Sequence, residues 1–267
     1  MDLLVAGRGR LGRSLARALA AAGHRTELVA ARRLPASAPA VQVAFVAVSD
    51  PAVPAVGAAL ARSLPPGARI VHVSGSLPLA ALAEAREAGR VVGSFHPFQS
   101  FPFERPPAAF EGSLIGIDAS DEALADRLFQ LARDLGGVPR RVPDEQRALY
   151  HVAAVLGSNL LIGLLGRSAG ILQSLGWTRE EALAALLPLV SGVVKNLAAE
   201  GLTGALIGPI RRGDPATVRR HLEELEKHGL EEAARVYRIL GMATLELALE
   251  AGLEPAKGDE IKVALTG

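Results

Sequence analysis

Leu3-Leu4-Val5-Ala6-Gly7-Arg8-Gly9-Arg10-Leu11-Gly12 is the stretch that decides the fold. Four consecutive apolar residues read as a strand buried on both faces. Glycines at G-x-G-x-x-G spacing then open an amphipathic helix over residues 11–22, which Gly23 stops. A second apolar strand follows at residues 26–31. In that setting each glycine has a physical task. Gly7 permits a tight turn, Gly9 lets backbone approach a pyrophosphate, and Gly12 lets the helix pack closely on the strand. Unpaired N–H groups at the helix start bind anions, so Gly7, Arg8, Gly9, Arg10, Leu11 and Gly12 form the expected dinucleotide cradle.

The tip of the second strand selects the dinucleotide. A binder of NAD(H) places an acid there for the two ribose hydroxyls. This chain has Ala30-Ala31-Arg32-Arg33 instead, and Glu27 lies nearer the start of the strand. Arg32 and Arg33 can grip a 2′-phosphate through charge-assisted bonds, so NADP(H) is the expected cofactor. The absent acid also argues against a methyltransferase that binds S-adenosylmethionine.

Working outward, short apolar runs alternate with helical segments through the first half. Strands are predicted at residues 42–48, 69–73, 91–95, 114–118 and 138–142, with helices at 77–88 and 120–135 between them. Asp50-Pro51 supplies a helix N-cap and an N1 proline. The loop at 32–41, with Pro35 and Pro39, leaves little room for a helix. Beyond Pro143 nearly everything reads as helix: residues 145–174, 179–200, 215–227 and 231–251, with a capping box at Thr178 and Glu181. The expected fold is α/β, a Rossmann-type parallel-sheet domain over residues 1–143 followed by an all-α substrate and dimerisation domain over 144–267.

Composition narrows the function classes. The 267 residues hold 29 basic and 28 acidic side chains, so no global field favours nucleic acid. Residues 1–143 carry 16 basic and 12 acidic groups, a balance that suits an anionic ligand in the first half. The absence of cysteine excludes disulfides, thiolate catalysis and thiolate zinc sites, and fits a reducing compartment. No metal site is expected. Met1 and Asp2 run directly into the first strand without a secretory pattern, and a cytoplasmic location is expected. Residues 148–166 carry no formal charge over 19 positions, near the length of a bilayer span. His151, Ser158 and Asn159 interrupt that run, and a buried helix is the better reading.

Candidate chemistry lies at later strand ends and on the long helix. Val48-Ser49 and Ser74 would put small residues against ribose and nicotinamide. His96 ends a strand within Ser94-Phe95-His96-Pro97-Phe98-Gln99-Ser100-Phe101, the densest aromatic cluster of an aromatic-poor chain. An imidazole there can donate the proton that reduction of C=O or C=N requires. His151 and Ser158 share a helical stripe two turns apart, with Asn159 rotated by about 80°. Lys195-Asn196 reads as a solvated pair. Arg211 and Arg212 stand in a basic loop before the helix start at Asp214-Pro215 and suit a substrate carboxylate.

The GRGRLG stretch, VSDPAV from Val48, HVSGSL from His72, SFHPFQSF from Ser94, YHVAAVLGSN from Tyr150 and IGPIRRGD from Ile207 together resemble a known family. It is the Rossmann-like proteins with a C-terminal helical domain of unknown function, described by inference as NADP-dependent oxidoreductases. The layout is more distantly similar to pyrroline-5-carboxylate reductase, ketopantoate reductase and prephenate dehydrogenase. In the last of these a His-Pro pair after a strand includes a catalytic histidine, a role the resemblance places on His96. The Lys-x-x-x-Asn motif of β-hydroxyacid dehydrogenases is missing: Val155 stands four residues after His151, and Ala199 four after Lys195. The resemblance implies an NADP(H)-dependent reductase of a small keto or imino acid, with His96 or His151 handling the proton and Ser158 and Asn159 holding an anionic substrate. A homodimer through the C-terminal helices is expected. The alternative is an NADP(H)-binding redox sensor or scaffold without turnover.

Overall fold

The computed structural model describes residues 1–34 and 40–267, so residues 35–39 of the expected proline-bearing loop fall outside the described residues. Met1–Ser158 and Asn159–Gly267 form two compact units. The sequence break expected after residue 143 therefore lies one helix before the boundary between units.

The first unit is built on seven strands: β1 Asp2–Ala6, β2 Arg25–Val29, β3 Val43–Val46, β4 Arg69–His72, β5 Val92–Pro97, β6 Leu114–Ala119 and β7 Val138–Arg141. They lie in the order β2-β1-β3-β4-β5-β6-β7. Pairing is parallel from β2 to β5, antiparallel between β5 and β6, and parallel again between β6 and β7. The Rossmann-type parallel sheet read from the sequence is thus present, with the pairing of β6 against β5 alone reversed. The cause is the connection. A parallel return needs a crossover helix, whereas residues 98–113 carry several prolines and form only a 3-10 turn, Pro107–Phe110.

Strand alternation sends successive side chains to opposite faces. Leu3, Val5, Phe45, Val71 and Ile117 pack with Leu15 and Leu19 of α1 (Arg10–Ala21) and Leu128 of α4 (Glu122–Asp134). Leu4, Ala6, Val46 and Ile70 pack on the other face with Leu60 of α2 (Val53–Ser63) and with Leu82, beside α3 (Ala83–Glu87). Helices on both faces make this a doubly wound sheet, in which ligands bind at the carboxyl edge of the strands.

Several local readings need correction. Strand β2 stops at Val29, and Ala30 to Arg33 form a turn in which the Arg33 N–H donates to the Ala30 carbonyl at 2.8 Å. Asp50 is not a cap. Ser49 precedes a 3-10 turn, and the Asp50 carboxylate accepts from Ser76 Oγ at 2.8 Å. The helix expected from residue 120 starts at Glu122, and Asp121 caps it by accepting the Leu124 N–H at 2.7 Å. The helix expected over residues 77–88 is a 3-10 turn followed by the short α3. His96 is next to last in β5, paired with Gly116 of β6, so the strand runs two residues past the expected end at residue 95.

The long helix predicted from residue 145 is two, α5 Asp144–Gly157 and α6 Asn159–Ser174, broken at Ser158 where φ is −130° and ψ −79°. The second unit continues with α7 Arg179–Gly204, α8 Pro209–Arg212, α9 Pro215–Lys227, α10 Glu231–Glu250 and α11 Pro255–Thr266. Its core gathers Ile210, Val218, Leu222, Leu245, Ile261 and Leu265. The Thr178–Glu181 capping box forms, and Asp214 caps α9 through the Thr217 N–H at 3.0 Å. Helices α8 and α11 were not predicted, since neither stretch carries a strong apolar period.

The buried helix expected at residues 148–166 is also corrected. Leu149 is 75% exposed and Ile162 70%, and on α7 only Ala182 is buried. By length and composition Asp144–Ser174 and Arg179–Arg212 each pass for a bilayer span, with almost none of either buried. The first nevertheless contains Asp144, Glu145, Arg147 and Arg167 as well as the break at Ser158.

Candidate functional site

A crevice of about 960 Å³ opens at the carboxyl edge of β1 and β2, lined by residues 7–13, 27–33 and 47–49 together with Val73. The loop geometry follows from the glycines. Gly7 has φ +136°, and a Cβ there would lie 2.0 Å from the Ala47 carbonyl oxygen. A Cβ on Gly12 would lie 2.1 Å from the Gly7 oxygen, whereas one on Gly9 would meet nothing within 4 Å. The first and third glycines are therefore demanded by packing within the protein. No contact among the described residues demands a glycine at position 9.

Gly9 is also the N-cap of α1, which no side chain caps and whose first turn holds no acid. Such a helix end presents uncommitted N–H donors and the positive end of its dipole, which favours an anion. Arg8, Arg10, Arg13, Arg32 and Arg33 line the same crevice against the single carboxylate of Glu27. Glu27 is thus closer to the site than its place in the strand indicated, yet the cations outnumber it. Two of the arginines are braced: Arg8 donates to the Leu28 carbonyl at 3.4 Å and Arg13 to the Arg8 carbonyl at 2.9 Å. Val48 and Ser49 line the crevice. Ser74 does not; its hydroxyl accepts the N–H groups of Ser76 and Leu77, each at 3.2 Å, closing the turn after β4.

Ser49 and Val73 are followed directly in the chain by Asp50 and by Ser74-Gly75, which lead into a second cluster. Here His96 from β5 meets Tyr150 and His151 from α5. His96 Nδ1 lies 3.0 Å from the Tyr150 hydroxyl, and the two imidazole rings are 5.9 Å apart, edge to face. Gly75 makes this possible. A Cβ on it would come within 2.7 Å of His96 Nε2 and 2.6 Å of His151 Nδ1. The aromatic shell expected around His96 is corrected by strand alternation: Phe95 faces the opposite core beside Phe45, and Phe101 packs on Phe110. Only Phe98 reaches the cluster, through Tyr150 at 5.0 Å.

Burial pushes the His96 pKa down to about 4, helped by His151 and Arg147 and opposed by Asp50. Burial likewise lifts Tyr150 to about 12. At neutral pH the pair is therefore an uncharged imidazole and an intact phenol. Such an imidazole is suited to accepting a proton, in contrast to the charged donor anticipated from an ordinary histidine pKa. When the phenol donates to the His96 carbonyl, 3.4 Å away, Nδ1–H donates to the phenol oxygen and Nε2 keeps its lone pair.

The remaining candidates are dispersed. Ser158 ends the first unit and donates to the Ala154 carbonyl at 2.6 Å, so its stripe with His151 stops at the helix break. Asn159 opens the second unit. There Arg211 donates to the Ala251 carbonyl at 3.0 Å, Arg211, Arg212, Lys257 and Glu254 line a hollow of about 630 Å³, and Lys195 and Asn196 are exposed on α7. Among the described residues no group of three or more histidine or acidic side chains is placed to hold a metal ion. Sequence reasoning passed over Arg147, which is wholly buried beneath the cluster. Its signal was present: Arg147, Tyr150 and His151 stand at helical i, i+3 and i+4 positions.

Residues 113–244 match the family model described as Domain of unknown function (DUF2520). That stretch is similar to the domain, and the sheet, most of which precedes it, is of Rossmann type. The match begins with β6, so it includes the end of the sheet and His151 along with most of the helical unit. No curated protein matches the sequence. Among solved structures, one from Bacteroides fragilis described as a candidate NADP oxidoreductase is 22% identical with a TM-score of 0.72, covering 92% of this chain and 98% of that one. A protein of Thermotoga maritima is 25% identical with a TM-score of 0.70, covering 91% and 98%. The pyrroline carboxylate reductase of Plasmodium falciparum, solved with NADP bound, is 13% identical with a TM-score of 0.58, covering 99% and 98%.

Proposed function

We propose that this chain is an NADP(H)-dependent oxidoreductase of a small keto or imino acid, or of the corresponding hydroxy or amino acid, working in the cytoplasm. The observation that carries the reading is the uncapped start of α1, where Gly9 faces open space in an arginine-lined crevice. The residues present fit a dinucleotide. Backbone N–H groups of the loop and of α1 would hold the pyrophosphate, and Arg32 and Arg33 the 2′-phosphate. A nicotinamide, when bound, supplies or takes up hydride. His96 would take the substrate's proton at Nε2 in the oxidative direction and return it in the reductive one, with Tyr150 fixing the ring from the Nδ1 side. Relatives solved with NADP or described as NADP oxidoreductases support this reading by shared fold.

The test is a panel of keto, imino, hydroxy and amino acids followed at 340 nm with both redox states of the cofactor. Steady, protein-dependent turnover of any member supports the enzyme. Tight cofactor binding with no turnover across the panel would favour the sensor or scaffold. Cofactor choice has its own test. Arg32→Glu should erase most of a preference for NADPH over NADH that is at least about tenfold, or 1.4 kcal/mol, in the wild type. Equal affinities in the wild type would defeat the assignment.

The exposed apolar faces of α6 and α7, including Ile162, Leu187, Leu189 and Val194, are proposed to be covered by a second copy of the chain. Contiguous apolar surface of this kind is costly in water, and twofold pairing is its commonest relief. Light scattering at micromolar concentration should return twice the chain mass of 27.7 kDa, and a monomer would reject the proposal.

A further inference from the structure

Arg147 is fully buried, and burial lowers its pKa by disfavouring the charged form. A guanidinium in that position is expensive unless its donors are used. Here the two terminal nitrogens are spent on joining separate pieces of the first unit, while Nε has no hydrogen-bond partner among the described residues. Nη2 donates to Ser94 Oγ on β5 and to the Val142 carbonyl, just after β7, at 3.3 Å, while Nη1 reaches the Ser74 carbonyl after β4 at 3.4 Å. Asp144 stands 3.7 Å from Nε, and its carboxylate accepts the Leu79 N–H at 2.9 Å. Ser94 Oγ also accepts the Asp118 N–H of β6 at 3.2 Å. One side chain thus binds the ends of β4 and β7, strand β5 and the first turn of α5. Those are the segments that carry Gly75, His96, Tyr150 and His151.

We propose that Arg147 is a positioning residue of the His96 site, a buried clamp that sets the start of α5 against the ends of β4 and β5 so that His96, Tyr150 and His151 meet over Gly75. The role at this site rests on the oxidoreductase reading given above. An apolar side chain would fill the same space without the desolvation cost, but would release Ser94 and the two carbonyls. The clamp also acts through its charge. The groups facing His96 are His151, Tyr150 and Arg147 from α5, Asp50 from the turn after β3, and His72 from β4. The first and third of these push its imidazole toward the neutral form, and Asp50 opposes them. His72, wholly buried with no partner for either ring nitrogen among the described residues, is pushed down to about 3 by burial first and Arg147 second.

The test needs no substrate. Histidine side-chain NMR of the full-length protein reports both the titration of His96 and the tautomer at its two nitrogens. Arg147→Met should move the His96 titration upward, by roughly one unit as a nearby charge is lost, and should mix the tautomers as the Tyr150 contact loosens. Arg147→Lys keeps the charge but not the planar fork. It should hold the titration near the wild-type value while still mixing the tautomers. A folded Arg147→Met protein with the wild-type titration and tautomer would overturn the proposal and leave Arg147 a packing residue. Should that variant fail to fold, Arg147→Lys together with Ser94→Ala decides: mixed tautomers in both support the clamp, and wild-type tautomers in both defeat it. NADPH titration of the same samples separates the two claims. Loss of the proposed function would show as no NADPH binding by the wild type, with the His96 response to Arg147 unchanged.

Discussion

Replacing His96 by asparagine is expected to cut turnover by roughly 10²–10⁴-fold, the usual worth of a positioned acid–base group. NADPH affinity should stay within about threefold, or roughly 0.7 kcal/mol, because His96 does not line the arginine crevice. The loss of the Tyr150 partner should cost about 1 kcal/mol of stability, so the variant remains folded for assay. Its pH signature is equally definite. With a pKa near 4, His96 is neutral above about pH 5, and the oxidative rate should not fall as pH drops from 8 to 6 on its account. A limb centred at 6.5 would show an imidazole titrating at its ordinary value. A folded variant with wild-type turnover would remove His96 from the mechanism. His151 would be tested next, its Nδ1 being buried without a partner among the described residues.

Alanine at Gly12 and at Gly9 should give opposite outcomes. At Gly12 the new Cβ would press on backbone, 2.1 Å from the Gly7 oxygen, and Gly7 cannot retreat because it already abuts Ala47. Overpacking against backbone of this kind costs about 1–3 kcal/mol or more, and the loop must move to relieve it. Lower thermal stability and a loss of dinucleotide binding are both expected. At Gly9 the methyl meets nothing, and the change from glycine to alanine at an N-cap costs about 0.5–1 kcal/mol. Stability should barely move, yet NADPH affinity should drop by about tenfold or more, since the methyl stands where a pyrophosphate must come close. Calorimetry and thermal melts on the two variants check both halves. Wild-type affinity in Gly9→Ala would place the phosphates elsewhere.

The first six elements of the sheet domain were legible because each depends on local signals: an apolar run, a glycine at a turn, a period of 3.6. The GRGRLG loop was legible for the same reason, and its residues do line one crevice. What failed to show in the sequence depends on contacts across the chain. The reversal at β6 follows from a connection too proline-rich to form a crossover helix. The strand face that separates Phe95 from His96 follows from a register set by pairing with β6. Arg147 looked like one charge ahead of an apolar run, and only the packing of α5 on β5 turns it into a buried hub. The exposure of α6 and α7 reverses the inference from composition, since an uncharged helix signals burial against something, and a single chain need not contain that partner.

The arginine-lined mouth at the start of α1 is expected to hold a nicotinamide dinucleotide carrying a 2′-phosphate. Isothermal titration of the wild-type protein with NADPH and with NADH, at one ionic strength, tests it most directly. Saturable binding at one site per chain, at least about tenfold tighter for NADPH, is the expected result. No saturable binding of either dinucleotide, or equal affinity for both, would contradict it.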